Sequence, residues 1–324
     1  MNLDDLKADL DGEVSTILAA DFSVEVTTTT DVPHSNDPKI TFPNLDAKTL
    51  KAKLIDTCVL YIDIRRSTEL NLAHKPQTVA KLYSAFVRTM TRCAQQYEGQ
   101  VRGIIGDRVM VLFDCDKAFV NAVNCAVLMN SASKYVINKH FKKGEVTCGI
   151  GIDAGRMLAT KTGVRKHGNE QQNYKALVWL GRPANVASKL TDIANKPAES
   201  VTLPCVRVAY GAIAPMPPER WIWRDEWPHV FVQSLEATSY PAHMIRHTNP
   251  RYAVHHLFEK TIVTNEATPP ILMAEVVWKG FRAAAPDDKI VKGGWIKKVD
   301  VEVPGYSGAV YGGDVIFTQF RPGE

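Results

Sequence analysis

Apolar and polar positions along this chain follow two rhythms. Near the N-terminus Leu3, Leu6, Leu10, Val14, Ile17 and Leu18 recur at helical spacing, which predicts an amphipathic helix over 2–20. Its stripe must bury against its own domain or a partner subunit. The stretch through Thr27, Thr30 and the prolines at 33, 38 and 43 reads as an extended linker. From about residue 51, strand and helix patterns alternate. Positions 58–62 form a short apolar strand, and 78–97 carry Val79, Leu82, Phe86, Met90, Cys93 and Ala94 as a helical stripe. Positions 101–105 and 109–113 are two strands around Gly106, Asp107 and Arg108, which reads as a hairpin. A second helix follows over 117–139, a third strand over 146–152, a short strand over 178–180 and a further helix over 185–195. The order β-α-β-β-α-β predicts an α+β fold, the ferredoxin-like split βαβ arrangement, with an antiparallel sheet and helices on one face.

Beyond about 245 the texture changes to strand-like runs at 271–278, 295–303 and 310–320, divided by glycines and prolines and with little helical periodicity. Three parts are therefore expected: an N-terminal helix and linker over 1–45, a main domain over 46–245 and a small β-rich C-terminal module over 246–324. Within 200–245, Trp221, Trp223 and Trp227 are expected to serve packing rather than ligand binding.

Composition narrows the class. The 324 residues are 45% hydrophobic and 23% charged, ordinary for a globular protein with a sizeable core. A net charge of +4 argues for neither nucleic acid nor a membrane as partner, and would not repel a triphosphate. Cys58, Cys93, Cys115, Cys125, Cys148 and Cys205 show no CxxC pairing, so reduced thiols in a cytoplasmic protein are expected. The acidic N-terminus does not have the layout of a signal peptide, and no apolar run approaches the ~20 residues that span a bilayer.

Two carboxylates sit at informative places. Asp63 ends the first strand of the split βαβ unit, and Asp107 lies in the hairpin. Taken singly, each reads as a helix cap or a turn residue. Together, at the ends of strands that this topology makes neighbours, they suit a hard divalent cation such as magnesium or manganese.

The residues from Tyr61 through Asp63 and Ile64 to Thr68 resemble the metal motif of the class III adenylate and guanylate cyclases, usually written F-x-D-I-x-x-[FS]-T. The run from Gly106 and Asp107 to Phe113 resembles the family's second metal motif. The run from Gly149 to Asp153 and Gly155 resembles the strand that follows, and that from Gly181 through Asn185 to Lys189 and Leu190 resembles the G-x-x-V-N-x-A-x-R-L helix. The four motifs occur in family order over about 55–195. The resemblance implies that Asp63, Asp107 and the carbonyl of Ile64 hold two divalent ions, Mn²⁺ or Mg²⁺. It implies that Arg65, Arg66, Ser67 and Thr68 meet the phosphates of a nucleoside triphosphate, and that Asn185 orients the ribose. Lys189 stands where the family has a transition-state arginine, a departure that keeps the charge and loses the bidentate fork; Arg182 is a neighbouring cation. It further implies a homodimer whose two sites are each built from both subunits.

In purine-using relatives the base is read by a lysine four residues before the second metal aspartate and by an Asp or Thr three before the motif glycine. Here those positions are Gly103 and Val178. Tyr61, on the same strand face as Asp63, and Arg108 would instead form a smaller, donor-rich pocket that suits a pyrimidine, with Arg102 as a competing donor. Tyr61 as sheet core and Arg108 as a solvated turn residue is the alternative. These departures, with the C-terminal module, resemble the bacterial Pycsar antiphage cyclases, which carry a small sensor module of the AGS-C type. Membership would imply UTP as substrate and cyclic UMP as product, or CTP and cyclic CMP, with the product acting on a separate effector protein. A purine cyclase and a catalytically inactive nucleotide sensor are the competing readings; a di-guanylate-type cyclase is disfavoured because the hairpin has no GGDEF-like sequence.

Overall fold

The structure is a computed structural model, which describes residues 2–162, 177–211, 220–238 and 244–322. The chain opens with helix α1 (Leu3–Ile17), whose N-cap Asn2 and Asp5 form a reciprocal capping box. No α1 residue is buried. Strand β1 (Ser23–Thr28) follows, inside the stretch expected to be a linker, and pairs in parallel with β2 (Thr49–Ile64) from Ser23↔Thr49 to Thr28↔Leu54. Its side chains are exposed, although Phe22, Val24 and Val26 alternate with Ser23, Glu25 and Thr27, a period-two signal that the linker reading passed over.

After β2 come α2 (Ser67–Ala73), α3 (Pro76–Gln96), the hairpin β3 (Gln100–Ile105) and β4 (Arg108–Leu112), and α4 (Ala118–Ala132), which runs on through a π-helical turn (Ser133–Ile137) into α5 (Asn138–His140). Strand β5 (Cys148–Lys161) then runs antiparallel to β2 over its length, from Ile64↔Cys148 to Lys53↔Ala159. Strand β6 (Leu177–Leu180) and helix α6 (Arg182–Ile193) complete the expected series. The β-α-β-β-α-β order is present as β2-α3-β3-β4-α4-β5, with β5-β2-β4-β3 adjacent in the sheet.

The period-two pattern of β2 decides which helix lies on which face. Cys58, Leu60, Ile62 and Ile64 point to a core shared with α3 and α4, whose Phe86 and Met90 are fully buried. Ile55 and Val59 point the other way and pack against Ala184 and Ala187 of α6. The sheet thus carries helices on both faces rather than one. Helix α6 lies unusually close to β5: a Cβ on Gly151 would sit 2.2 Å from the Ala187 carbonyl oxygen, and one on Gly149 2.6 Å from that of Thr191. Only glycine admits this approach.

Chain contacts divide the molecule into one unit of Met1–Lys196 with Thr268–Glu324 and a second of Pro197–Ala267, a different partition from the boundaries at 45 and 245 read from the sequence. In the second unit, β7 (Glu199–Tyr210) pairs antiparallel with β8 (Ile222–Glu226) and, after α7 (Pro228–Gln233), β9 (Leu235–Thr238) and β10 (Met244–His247), with the long β11 (Tyr252–Asn265). Trp223 and Trp227 are exposed there, and Trp223 stacks on His256 at 5.5 Å.

The chain re-enters the first unit beside the point where it left. Thr268 N–H donates to the Lys196 carbonyl at 3.0 Å and Lys196 N–H to Thr268 Oγ1 at 2.9 Å. Strand β12 (Ile271–Ala274) then pairs in parallel with β5, and β14 (Val310–Gly313) and β13 (Lys297–Val299) extend the same sheet. The C-terminal strands are present, but as part of the main sheet. The apolar run read as a strand over 271–278 breaks at Glu275, where α8 (Glu275–Ala284) begins; α9 (Lys289–Lys292) follows. Val277, Trp278 and Phe281 form the buried face of α8, a helical spacing.

Candidate active site

Register builds the site. The β2–β4 ladder ends at Ile62↔Val109, so the next residues outward, Asp63 and Arg108, are neighbours, and the turn residue Asp107 comes beside Ile64. The Ile64 N–H donates to Asp107 Oδ2 at 3.2 Å. Burial, and then the nearby charge of Asp63, push the Asp107 carboxyl up to about 6. The two carboxylates expected to work together do converge at one end of the sheet.

Arg108 is not a solvated turn residue. Its Nε and Nη2 donate to Asp63 Oδ2 at 3.1 and 2.6 Å, its Nη1 donates to Ser188 Oγ at 2.9 Å, and Nη2 also pairs with Asp192. Arg65 approaches the same carboxylate, with Nη2 3.8 Å from Asp63 Oδ2, and donates from Nη1 to the Asp192 carbonyl at 3.0 Å. Ser188 and Asp192, one helical turn apart on α6, are thus site residues that the sequence reading passed over. The signal for them was the i, i+4 spacing beside the stripe of Asn185 and Lys189.

Tyr61 shares the strand face of Asp63, and this face is the one that α6 covers. Its hydroxyl donates to Met110 Sδ at 3.2 Å and its carbonyl accepts from Thr191 Oγ1 at 3.3 Å. Burial raises its phenol, and the Arg108 charge opposes the rise, so the two expected base-reading groups share one environment. Tyr83 of α3, also missed, stands near enough to Asp107 that the carboxylate adds to the rise that burial imposes on its phenol.

Other expected residues are not gathered here. Arg66 has a left-handed backbone (φ 56°) and turns to Glu69 at 3.0 Å in solvent; Thr68 is exposed. Asn185 is exposed, and Lys189 Nζ donates to the Pro304 carbonyl at 2.7 Å. Arg182 lies 3.6 Å from the fully buried Asp153 and over the Tyr306 ring at 5.6 Å. Among the described residues neither oxygen of Asp153 has a side-chain hydrogen-bond partner, and burial pushes its carboxyl up to about 6.

Among the described residues no cluster of three or more His, Cys, Asp and Glu side chains forms a self-sufficient metal cage. Two close carboxylates, one held above the usual range, form instead the sparse oxygen set on which a divalent ion is completed by water and substrate phosphate. The residues present fit such an ion. No helix among the described residues is long and apolar enough to cross a membrane.

A model of the adenylate and guanylate cyclase catalytic domain matches residues 51–207. A uridylate cyclase of Burkholderia cepacia is 33% identical over 178 residues, 53% of this chain and 72% of its own length. A uridylate cyclase of Xanthomonas perforans is 33% identical over 164 residues, 47% of this chain and 66% of its own. Among solved structures, the adenylyl cyclase CyaB from P. aeruginosa is similar over 81% of this chain and 95% of its own, with a TM-score of 0.47 and 17% identity. With the four motifs in order, the paired carboxylates at one sheet end and a third of the aligned Burkholderia residues identical, this chain belongs to the class III family of nucleotidyl cyclases, that of the adenylate and guanylate cyclase catalytic domain.

Proposed function

We propose that this chain converts UTP into 3′,5′-cyclic UMP and pyrophosphate. The observation that carries the proposal is the convergence of Asp63 and Asp107 at the end of β2, in a chain whose purine-reading positions hold Gly103 and Val178. The naming of the Burkholderia and Xanthomonas relatives as uridylate cyclases supports uracil as the base. A cytidylate cyclase of Staphylococcus aureus, 29% identical over 30% of this chain and 25% of its own, keeps CTP as the second reading.

Asp63, Asp107 and the Ile64 carbonyl would hold two Mg²⁺ or Mn²⁺ ions, which when bound lower the pKa of the ribose 3′-hydroxyl and neutralise phosphate charge. The chain's own groups do the rest. Arg65 and the turn through Arg66, Ser67 and Thr68 would meet the outer phosphates of the triphosphate, while Asp63 and Asp107 would act only as holders of the ions. The 3′-oxygen attacks the α-phosphorus in line, its proton passes to solvent, and the bond from phosphorus to the β-bridging oxygen breaks to release pyrophosphate. Tyr61 and Arg108 would face the base: the one guanidinium hydrogen not committed to Asp63, Ser188 or Asp192, on Nη1, would donate to a carbonyl oxygen of uracil where cytosine presents an amine, itself a donor.

Asn185 and Lys189 serve the site of a second subunit. Within one chain it is Ser188 and Asp192 that face Arg108, whereas Asn185 is exposed and Lys189 is turned to Pro304, an arrangement that supports composite sites in a homodimer. In the cell, the cyclic product would act on a separate effector in antiphage defence, and the sensing expected of 246–324 would fall to residues of both units, 246–267 in the second and 268–324 in the first.

The test is to incubate purified protein with each of the four NTPs and Mn²⁺ and to identify cyclic products by mass spectrometry. Cyclic UMP is the expected dominant product; cyclic AMP or cyclic GMP in its place sinks the pyrimidine reading. Mixing an Asp63→Asn chain with a Lys189→Ala chain should restore part of the activity; no rescue overturns the composite site.

A further inference from the structure

Helix α1 is built to be covered and is not. Leu3, Leu6, Leu10, Val14 and Ile17 line one face and are between 39% and 83% exposed. The rest of the helix carries Asp4, Asp5, Asp9, Asp11 and Glu13 against the single Lys7, a net charge of −4. An apolar stripe of this length left in water on a strongly acidic helix marks an interaction surface.

The matching surface is on the same unit. A groove of about 600 Å³ runs between the first half of α3 and the segment that leads from the π-helical turn to β5. Buried Leu82 and Ile137 and half-buried Phe141 line it, with the exposed apolar Ala85 and Val136 beside them. Lys81, His140, Lys142 and Lys143 stand on its rim, all exposed. Along α3 it extends from Thr78 to Thr89, about 16 Å at 1.5 Å per residue, against about 21 Å for the stripe of α1.

We infer that α1 of one chain docks in the α3–α5 groove of a second copy of the chain. Charge selects the occupant. Two α1 helices placed side by side would bring together −4 and −4, whereas the groove offers a basic rim around an apolar floor. The same acidic face is repelled by an anionic lipid surface, which binds basic amphipathic helices. Position selects the second copy. Helix α1 joins β1, whose first residue pairs with Thr49, while the groove's second wall precedes Cys148, which pairs with Ile64 at the other end of β2. That strand spans about 50 Å over its 16 residues. Within one chain α1 stays exposed along its whole stripe and the groove stays open, so the stripe and the groove are left for a second copy. Reciprocal exchange between two copies closes a two-fold dimer without leaving a free stripe. The inference shares with the catalytic reading only the presence of a second copy.

The experiment mixes two full-length chains, one carrying Leu10→Cys and the other Ala85→Cys, under mild oxidation and reads disulfide-linked dimer on a non-reducing gel. The expected result is a linked dimer in the mixture at least tenfold above either variant alone; the half-exposed native Cys115 sets the background in all three samples. Adding Lys142→Glu and Lys143→Glu to the Ala85→Cys chain should cut the yield about tenfold, and Asp5→Lys with Asp9→Lys on the other chain should restore it. Equal linkage by Leu10→Cys alone would show α1 pairing with itself and overturn the inference, as would a mixture that gives no more than background. Either outcome leaves the Asp63→Asn and Lys189→Ala rescue assay free to succeed or fail on its own.

Discussion

The two units use β-structure in opposite ways. In the first, β2, β5 and β12 bury most of their side chains between helices on both faces, and Phe86, Leu60, Ile62, Ile150 and Ile152 are fully enclosed. In the second, β7 and β11 share a ladder of a dozen residue pairs, yet β11 buries no side chain and β7 only Cys205, Val206, Val208 and Ala209. Leu257, Val263, Ile222 and Val232 stay more than half exposed. The difference teaches that a long hydrogen-bonded ladder is not a core. Backbone bonds exchanged for water contribute little net stability, and enclosure of apolar surface contributes most of it. The first unit has the rigidity that a reaction geometry needs, and the second presents surface.

The strongest way to break this contrast is through the chemistry. Asp63→Asn or Asp107→Asn should lower turnover on the order of a thousandfold, several kcal/mol of lost charge stabilisation at 1.36 kcal/mol per tenfold. Neither should alter hydrogen exchange in β7 or β11. Wild-type turnover in both variants would remove the carboxylate pair from the mechanism.

Packing comes next. Phe86→Ala should cost ~3–5 kcal/mol in urea unfolding of the first unit, because a fully buried ring leaves a cavity. Phe231→Ala, in the small cluster of the second unit, should leave that transition where it is. Equal effects of the two on one transition would mean that the units fold as a single body.

Next comes pH dependence, in which individual carboxyls differ in sign. Asp107 and Asp153 both sit at about 6 in the folded chain, above the unfolded value near 3.8. Between these values the folded state binds more protons at these two carboxyls than the unfolded one, so their contribution to the first unit's stability is lost as pH rises from about 4 to about 6, while Asp21 and Asp37 of the same unit, both lowered, contribute with the opposite sign. Asp225 of the second unit is instead lowered by hydrogen bonds from Arg207 and Lys260, so its contribution is present above about 4 and fades as pH falls through its depressed value. Asp107→Asn with Asp153→Asn should remove the first trend from thermal melts in chelator from pH 4 to 8. A pH profile unchanged by the two substitutions would contradict the assignment.

The smallest expected effect is at the surface. Arg207→Ala removes an ion pair with Asp225 at 2.8 Å in solvent and should leave the unfolding midpoint almost where it is. A larger loss would show that the β7–β11 ladder depends on its rim charges.

Much of this molecule could be read from residue order alone. The alternation of periods two and 3.6 gave β2 to β5 with their helices, and adjacency of the first strand to the hairpin brought Asp63 to Asp107. The readings that differ did so for physical reasons. The run 271–278 is apolar throughout its first half, and a short apolar run does not declare its period; the helix shows only in Val277, Trp278 and Phe281, where a ring of Phe119 lies over Gly280. Strand β1 has no buried side chain to mark it and is held by backbone pairing with β2. The engagement of Arg108 with Asp63, Ser188 and Asp192 depends on α6 pressing onto glycines 149 and 151 from the face opposite α3, a contact between segments some eighty residues apart.

The paired hydrogen bonds between Lys196 and Thr268 have an evolutionary corollary. A segment that enters and exits through one narrow gate can be lengthened, exchanged for unrelated sequence or excised with a tight turn in its place, while the host strands keep their register. The inserted strands can then change without moving the paired carboxylates at the end of β2.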